Sequence, residues 1–194
     1  MDKKTGLFFG SFNPIHTGHL IISNFMATKT DLDEVWLVIS PHNPLKRKSS
    51  LAPERDRQHL VEIAIKDNDN LRSSDIEFYL PQPSYTVDTL IHLREKFPER
   101  HFCLIMGADN LKSIKKWKNF EILLRDYEIY LYNRPGFEID QKIIENAKIH
   151  YFNSPSINIS STYIRNCIKE GKSIRYLVPD VVKDYMINNN FYKK

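Results

Sequence analysis

Two histidines lie three residues apart near the start of the chain, in the segment GSFNPIHTGH that spans residues 10–19. An apolar run precedes this segment and a pattern with helical spacing follows it, which predicts a turn from a buried strand into a helix. Gly10 and Gly18 would let the backbone approach a ligand closely, and a helix start presents free amides with a partial positive charge. The segment therefore predicts a binding site for an anion such as phosphate.

His16 and His19 would lie on the same side of the first helical turn, because residues three apart are neighbours on a helix surface. Both rings could then face the anion, and each, if protonated, would add a positive charge and a hydrogen-bond donor. The alternative is that the two rings only fill and cap the helix entry. The glycines around the pair favour the anion site.

A second polar cluster near the other end of the chain, formed by Ser160, Ser161 and Thr162, predicts the start of a helix that runs to about Gly171. Arg165, one turn further on, adds a permanent cation whose fork of N–H groups fits phosphate oxygens. Alone, the cluster predicts only an N-cap. Together with the histidine segment, it predicts a second helix start that binds phosphate.

The composition favours a globular protein that binds a small anion. The chain has 194 residues, of which 41% are apolar and 12% aromatic, and a formal net charge of +4. These values exclude a disordered chain. Lysine and arginine are scattered except in LKRKSS, so we expect no nucleic acid partner, because a nucleic-acid groove needs a dense basic stripe. We expect one domain over residues 1–194.

We expect a cytoplasmic protein with no membrane partner. No apolar run approaches the length of a membrane span, and the chain starts without the apolar stretch and cleavage site of a signal peptide. Cys103 and Cys167 have no spacing typical of a zinc site or a redox pair, so we expect both to be packing residues in a reducing compartment.

The elements that must position these motifs alternate between strands and helices. This alternation predicts an α/β fold with a Rossmann-like, doubly wound parallel sheet, helices on both faces and a C-terminal helical segment that ends in a helix opened by Pro179. Strands are predicted at 6–10, 34–40, 101–106, 127–132 and 148–152, and helices at 18–30, 54–67, 86–97 and 117–126.

Two loops are too long and too polar to be simple connections, at residues 40–53 and 133–140. Each follows a predicted strand directly. Because ligands in open α/β sheets bind outside the carboxyl ends of the strands, we expect both loops to border the site.

The two terminal motifs together resemble a known superfamily. GSFNPIHTGH resembles the HxGH signature of the nucleotidyltransferases, and ISSTYIR, residues 159–165, resembles their second signature. The resemblance implies a nucleotidyltransferase fold with His16, His19 and Arg165 as catalytic residues. It also implies an ATP site formed by Gly10, Ser11, Phe12, Gly18, Gly107, Asp109, Ser160, Ser161 and Thr162.

The middle of the chain narrows the resemblance. LPQPSYTVDTL, MGADNL, KWKNFEILL and NRPG resemble, in order and spacing, segments of the bacterial nicotinate-nucleotide adenylyltransferases. The resemblance implies that Trp117 stacks on the pyridine ring of nicotinate mononucleotide, that amides near Thr86 bind the ring carboxylate and that Asp109 binds ribose hydroxyls. The implied mononucleotide site comprises Asn43, Lys46, Tyr85, Thr86, Trp117, Lys118 and Arg134.

One departure from the family pattern lies in the first long loop. Many members carry Pro-Pro-His followed by a basic residue there, whereas this chain reads HNPLK, with Leu45 in the place of the histidine. His42 lies three residues earlier, and whether it substitutes is left open by the sequence.

The implied reaction moves AMP from ATP to nicotinate mononucleotide by direct attack of the acceptor phosphate, without a covalent intermediate. Mg²⁺ is expected to arrive on ATP, because no acidic cluster resembles a metal site. The alternatives are another acceptor, such as nicotinamide mononucleotide or phosphopantetheine, a catalytic fragment of the class I aminoacyl-tRNA synthetase type, and a nucleotide-binding module without catalysis. A homo-oligomer is left open.

Overall fold

The computed structural model describes residues 3–41, 51–134, 147–155 and 157–193. Within these residues, six parallel strands form one sheet: β1 (Lys3–Gly10), β2 (Glu34–Ile39), β3 (Leu71–Ser74), β4 (Arg100–Gly107), β5 (Ile129–Tyr132) and β6 (Ile149–Phe152). Their order is β3-β2-β1-β4-β5-β6. The order reverses between β1 and β4, so the crevice outside the carboxyl ends of these two strands is the expected ligand site.

Helices cover both faces of the sheet, which confirms the predicted doubly wound fold. Leu7 and Phe8 are consecutive in β1 and belong to separate apolar clusters, because successive side chains of a strand point to opposite faces. None of the described helices has the length and apolarity to cross a membrane. The helices are α1 (Thr17–Lys29), α2 (Glu54–Ile65), α3 (Thr86–Lys96), α4 (Ala108–Leu111), α5 (Phe120–Asp126), α6 (Ser161–Lys169) and α7 (Asp180–Asn188), with 3₁₀ turns at Ile76–Tyr79 and Ile114–Lys116.

The five predicted strands are confirmed, but the sequence interpretation missed β3. The sequence of this strand, LRSS, is short and mostly polar, because the strand lies at the edge of the sheet and pairs only with β2. The helix predicted at 117–126 begins only at Phe120, since Asn119 has a φ of 49°, in the left-handed region that interrupts a helix. Cys103 and Cys167 are free and buried, as expected for packing residues.

A buried ion network holds the amino ends of the strands together. Glu34, at the start of β2, is 4% exposed and accepts hydrogen bonds from Arg72 Nε at 2.9 Å, Trp36 Nε1 at 2.9 Å and Arg100 Nη1. Burial alone would raise the pKa of Glu34, but these donors outweigh it and the pKa lies below its ordinary value. The carboxylate therefore joins the amino ends of β2, β3 and β4, which lie at the end of the sheet opposite to the predicted site.

Replacing Glu34 by glutamine should lower the free energy of unfolding by about 2–3 kcal/mol, because two arginines lose their anionic partner. Urea denaturation of E34Q and the wild-type protein measures this difference. A change below about 0.5 kcal/mol, the range of ordinary surface substitutions, would show that the network does not stabilise this end of the sheet.

Candidate active site

The histidine segment forms the turn between β1 and α1. His16 is the N-cap of α1, and its ring stacks on that of His19, with centroids 3.6 Å apart and planes inclined by 23°. The backbone N–H of His16 donates a hydrogen bond to His19 Nδ1 at 3.3 Å. Because Nδ1 accepts this bond, a neutral His19 carries its proton on Nε2 and can donate it to an anion.

His16 is neutral in the free protein at neutral pH. Its side chain is buried, at 5% exposure, and burial together with the positive charge of Arg134 lowers the pKa of His16 from 6.5 to about 4. The ring lies against the first turn of α1, and no described residue forms a well-aligned hydrogen bond with its buried Nδ1. The sequence interpretation considered protonated rings, whereas the low pKa of His16 favours a neutral imidazole.

The ring of Phe12 packs against the histidine turn from the core of the protein. Its ring is buried and packs edge-on against Phe8 and His19, with centroid distances of 5.9 and 5.0 Å. Its φ of 42° lies in the left-handed region, where a bulky residue is strained. Since the ring belongs to the core, only the backbone of Phe12 is placed to contact a nucleotide.

The two predicted glycines of this segment allow close packing within the protein. A β-carbon on Gly18 would lie 3.1 Å from His16 Nδ1, and one on Gly10 would lie 2.8 Å from the Phe12 ring. A side chain at Gly18 would therefore push against this nitrogen. The sequence interpretation attributed the need for glycine at these two positions to a ligand. In the protein, the rings of His16 and Phe12 already lie close to Gly18 and Gly10.

The C-terminal motif docks directly on the histidine turn. Ser160 caps α6 by accepting a hydrogen bond from the Tyr163 amide at 3.2 Å, which confirms the predicted helix start. Ser161 Oγ donates to Pro14 O at 2.8 Å, and Arg165 Nη1 donates to Asn13 O at 2.7 Å. These bonds bring the starts of α1 and α6 together, while the first amide of α1, Thr17 N–H, donates to Leu177 O at 2.9 Å.

Thr162 and Ser11 complete the predicted phosphate-side residues. Thr162 is exposed, and its Oγ1 accepts a hydrogen bond from Arg165 Nη2 at 3.2 Å. The carbonyl of Ser11 accepts a hydrogen bond from a buried arginine, Arg57. The side chain of Arg165 is thus held by the backbone carbonyl of Asn13 and by the hydroxyl of Thr162.

A cleft opens between the histidine turn and the end of β5. Its lining includes Gly18, both histidines, Tyr132, Asn133 and Arg134. Arg134 stacks over the Tyr132 ring, with the guanidinium carbon 5.5 Å from the centroid, and its Nε lies 3.7 Å from Asp109 Oδ1. A β-carbon on Gly107, at the end of β4, would overlap with Asp109 Oδ1, so a side chain there would displace the carboxylate of Asp109.

Arg134 therefore lies with the residues predicted for ATP. The sequence interpretation assigned Arg134 to the mononucleotide site, and this role stays a prediction. In the structure Arg134 lies beside Asp109 and close enough to His16 to lower the pKa of that ring. Its position suits a cation that faces phosphate groups at the centre of the cleft.

Four of the residues predicted for the mononucleotide lie together beyond β4. Tyr85 is the N-cap of α3, and Thr86 is the first residue of this helix. Lys118 Nζ lies 4.8 Å from the centroid of the Tyr85 ring and 2.8 Å from Asp88 Oδ2. Trp117 is half-buried against the apolar cluster that Tyr85 also contacts. Its Nε1 makes no hydrogen bond to any described residue.

The remaining predicted residues, Asn43 and Lys46, lie outside the described residues, as do His42 and Leu45. Their roles stay predictions.

Arg57 is a buried residue next to the candidate site that the sequence interpretation missed. It is 1% exposed, and it donates hydrogen bonds to Ser11 O at 2.6 Å, Ser40 O at 2.9 Å, Pro41 O at 3.1 Å and Ala52 O at 3.0 Å. Its spacing was the available signal, because it precedes the buried Leu60 and Val61 by three and four residues and so lies on the apolar face of α2.

Among the described residues, one group of three metal-ligating side chains lies close together: His101, Cys103 and Glu128. His101 and Cys103 belong to the first half of β4, and Glu128 precedes β5, so the group lies away from the histidine turn. Around His16 and His19 the donors are imidazoles, guanidinium groups and amides. Such a donor set fits an anion rather than Mg²⁺, which prefers oxygen ligands.

Comparison with known proteins gives consistent matches. Residues 7–167 match the family model described as cytidylyltransferase-like. A protein from Flavobacterium johnsoniae, named a probable nicotinate-nucleotide adenylyltransferase, is 53% identical over 192 residues, which cover 98% of this chain and all of the relative. A protein of the same name from Bacteroides fragilis is 44% identical over 92% of this chain and 89% of its own.

The fold matches solved structures over nearly the whole chain. The nicotinic acid mononucleotide adenylyltransferase of Plasmodium falciparum, solved in complex with NaAD, superposes with a TM-score of 0.83. The match covers 98% of this chain and 97% of the other, at 23% sequence identity. At this identity the likeness concerns the fold.

The low pKa of His16 should make the protein less stable in mild acid. Below pH 6.5 the unfolded chain binds a proton at this residue, whereas the folded protein does so only near pH 4, so the free energy of unfolding falls across this window by up to about 3 kcal/mol. Denaturant titrations at pH 7 and pH 4.5 should show a smaller loss for H16N than for the wild-type protein. Equal losses would contradict the burial of a neutral His16.

Proposed function

The chain belongs to the nicotinate-nucleotide adenylyltransferases, within the cytidylyltransferase-like family, and on this premise we propose that it transfers AMP from ATP to nicotinate mononucleotide. The products are nicotinate adenine dinucleotide and pyrophosphate. Because the dinucleotide is the deamido form of NAD, the enzyme acts in NAD biosynthesis. The observation that carries the proposal is the docking of α6 on the histidine turn through the hydrogen bonds of Ser161 and Arg165.

The chemistry asks little of the enzyme beyond alignment and charge. The acceptor phosphate is an anion at neutral pH, so no general base is needed and it attacks the α-phosphorus of ATP directly. The bond to the pyrophosphate leaving group then breaks, and negative charge grows on its oxygens. Positioning and the stabilisation of this charge are therefore the main sources of acceleration.

His16, His19 and Arg165 act on the leaving group in this proposal. His19 donates from Nε2, since its Nδ1 is occupied by the His16 amide. Arg165 is held by Asn13 O through Nη1, which fixes the guanidinium next to the start of α6. In this proposal, backbone amides at the start of α6 add donors that require no reorganisation during the reaction.

The acceptor site is assigned to the start of α3 and to Trp117. The first amides of a helix bind a carboxylate better than a neutral carboxamide, because they carry a partial positive charge. The half-buried indole of Trp117 offers a flat apolar surface for a pyridine ring. The juxtaposition of Tyr85, Thr86, Trp117 and Lys118 supports this assignment.

We propose that Mg²⁺ enters on the phosphate oxygens of ATP and that it helps to neutralise their charge there. The imidazole and guanidinium groups of the cleft bind the same phosphates from the protein side. We also propose that the enzyme is located in the cytoplasm.

The reaction predicts which acceptor supports catalysis. The wild-type protein with ATP and Mg²⁺ should release pyrophosphate rapidly with nicotinate mononucleotide, more slowly with nicotinamide mononucleotide, and not with phosphopantetheine. A coupled pyrophosphate assay with each acceptor measures this order. Absence of release with nicotinate mononucleotide would refute the proposed function.

Replacing His19 by alanine should lower kcat by about 10²-fold, the effect of removing one preorganised donor to a developing anion. The KM for nicotinate mononucleotide should change by no more than about threefold, because the lost interaction belongs to the transition state. The matched control is H150A, which removes an imidazole that contacts Glu128 outside the cleft. An unchanged kcat in H19A would remove His19 from the mechanism.

A further inference from the structure

A buried carboxylate without a cationic partner lies beside the proposed acceptor site. Glu77, in the 3₁₀ turn that follows β3, is 2% exposed. In the part of the chain that the structure describes, no lysine, arginine or histidine forms an ion pair with it. Instead its oxygens accept hydrogen bonds from the hydroxyls of Ser84 and Thr89, each at 2.9 Å, and from the hydroxyl of Ser40.

The partners of Glu77 belong to three segments that surround the start of α3. Ser84 immediately precedes the N-cap of this helix, and Thr89 lies in its first turns. Ser40 follows β2, and its carbonyl is bound by Arg57. In addition, Gln82 Nε2 donates to the backbone carbonyl of Glu77 at 3.0 Å. The connection between the 3₁₀ turn and α3 is thus folded around one side chain.

Burying the carboxylate of Glu77 without a cation costs free energy, unlike the burial of Glu34, whose charge is paired. Burial raises the pKa of Glu77 above its ordinary value, although the hydroxyl donors of Thr89 and Ser84 oppose this effect. Glu34 is buried to a similar extent but is neutralised by arginines, which keep its pKa low. A carboxylate that receives only hydroxyl donors stabilises the fold poorly, so its main effect is on geometry.

We propose that Glu77 is a positioning residue that fixes the backbone from Ser84 to Thr86, so that the start of α3 selects the carboxylate of nicotinate over the carboxamide of nicotinamide. This inference rests on the proposed function and adds a determinant of acceptor specificity to it. Glu77 itself does not need to touch the substrate, because it acts through the hydroxyls on both sides of the helix start.

The reason is geometric. Selection of a carboxylate by helix-start amides depends on N–H groups that point at its oxygens, and such bonds weaken steeply when the angle departs from linearity. A carboxamide gains less from these amides, since it carries no charge and presents one NH₂ group. Loosening the segment therefore costs the acid more than the amide, and it leaves the ATP side of the cleft unaffected.

The test compares E77Q with E34Q and the wild-type enzyme. Glutamine keeps the volume of glutamate, but only one of its two terminal atoms can accept a hydroxyl proton. In E77Q, the KM for nicotinate mononucleotide should rise by about tenfold and the ratio of kcat/KM for nicotinate over nicotinamide mononucleotide should fall by a similar factor. The KM for ATP should stay within about twofold. E34Q should lose stability but keep the ratio.

The outcomes separate the inference from the proposed function. An unchanged acceptor ratio in E77Q, with or without a loss of stability like that of E34Q, overturns the positioning role. If the wild-type enzyme itself releases no pyrophosphate with nicotinate mononucleotide, the proposed function fails before any variant is compared.

If E77Q does not fold, the inference is tested with S84A and T89V, which change the hydrogen-bond donors instead of the acceptor. Each variant removes one hydroxyl donor to Glu77. Each should lower the acceptor ratio in the same direction as E77Q, by about threefold, because two of the three hydroxyl donors remain. A ratio equal to that of the wild-type enzyme in both variants overturns the inference.

Discussion

The hydrogen bonds of Arg57 fix the loops on which the candidate site is built. A buried guanidinium is costly unless its N–H groups are satisfied, and here backbone carbonyls from three segments satisfy it. Burial lowers the pKa of Arg57, but an arginine stays charged at any physiological pH. One side chain of α2 therefore joins the turn after β1, the end of β2 and the entry to its own helix. Ser40 extends this connection to Glu77.

Charged side chains are paired differently at the amino ends and at the carboxyl ends of the strands. At the amino ends the charges cancel, since Glu34 lies between Arg72 and Arg100, and Glu128 receives Lys4 as well as two histidines. At the carboxyl ends of the strands, Arg57 and Arg165 donate to backbone carbonyls. These bonds hold two positive charges near the turn where the starts of α1 and α6 meet, in a chain whose net charge is +4.

The sequence predicted the parts of the fold and site that depend on local pattern. The apolar strands and the cap at Ser160 follow from periodicity and residue type, whereas the expectation that the two terminal motifs act together came from their resemblance to family signatures. The missed features depend on tertiary contacts. The polar β3 is a strand only because β2 offers an edge, Arg57 is bonded to carbonyls that carry no sequence signal, and Glu77 is defined by hydroxyls around it.

The state of His16 could not be predicted from the sequence either, because it depends on burial, and it bears on how the cleft handles charge. A second full cation next to Arg134 would repel it and would lie in a region with little water, so the free protein keeps the ring neutral. An anion close to the ring would favour the protonated form, so a polyphosphate bound as proposed would raise the pKa of His16. The charge of His16 would then depend on the bound ligand, whereas the charge of Arg165 is permanent.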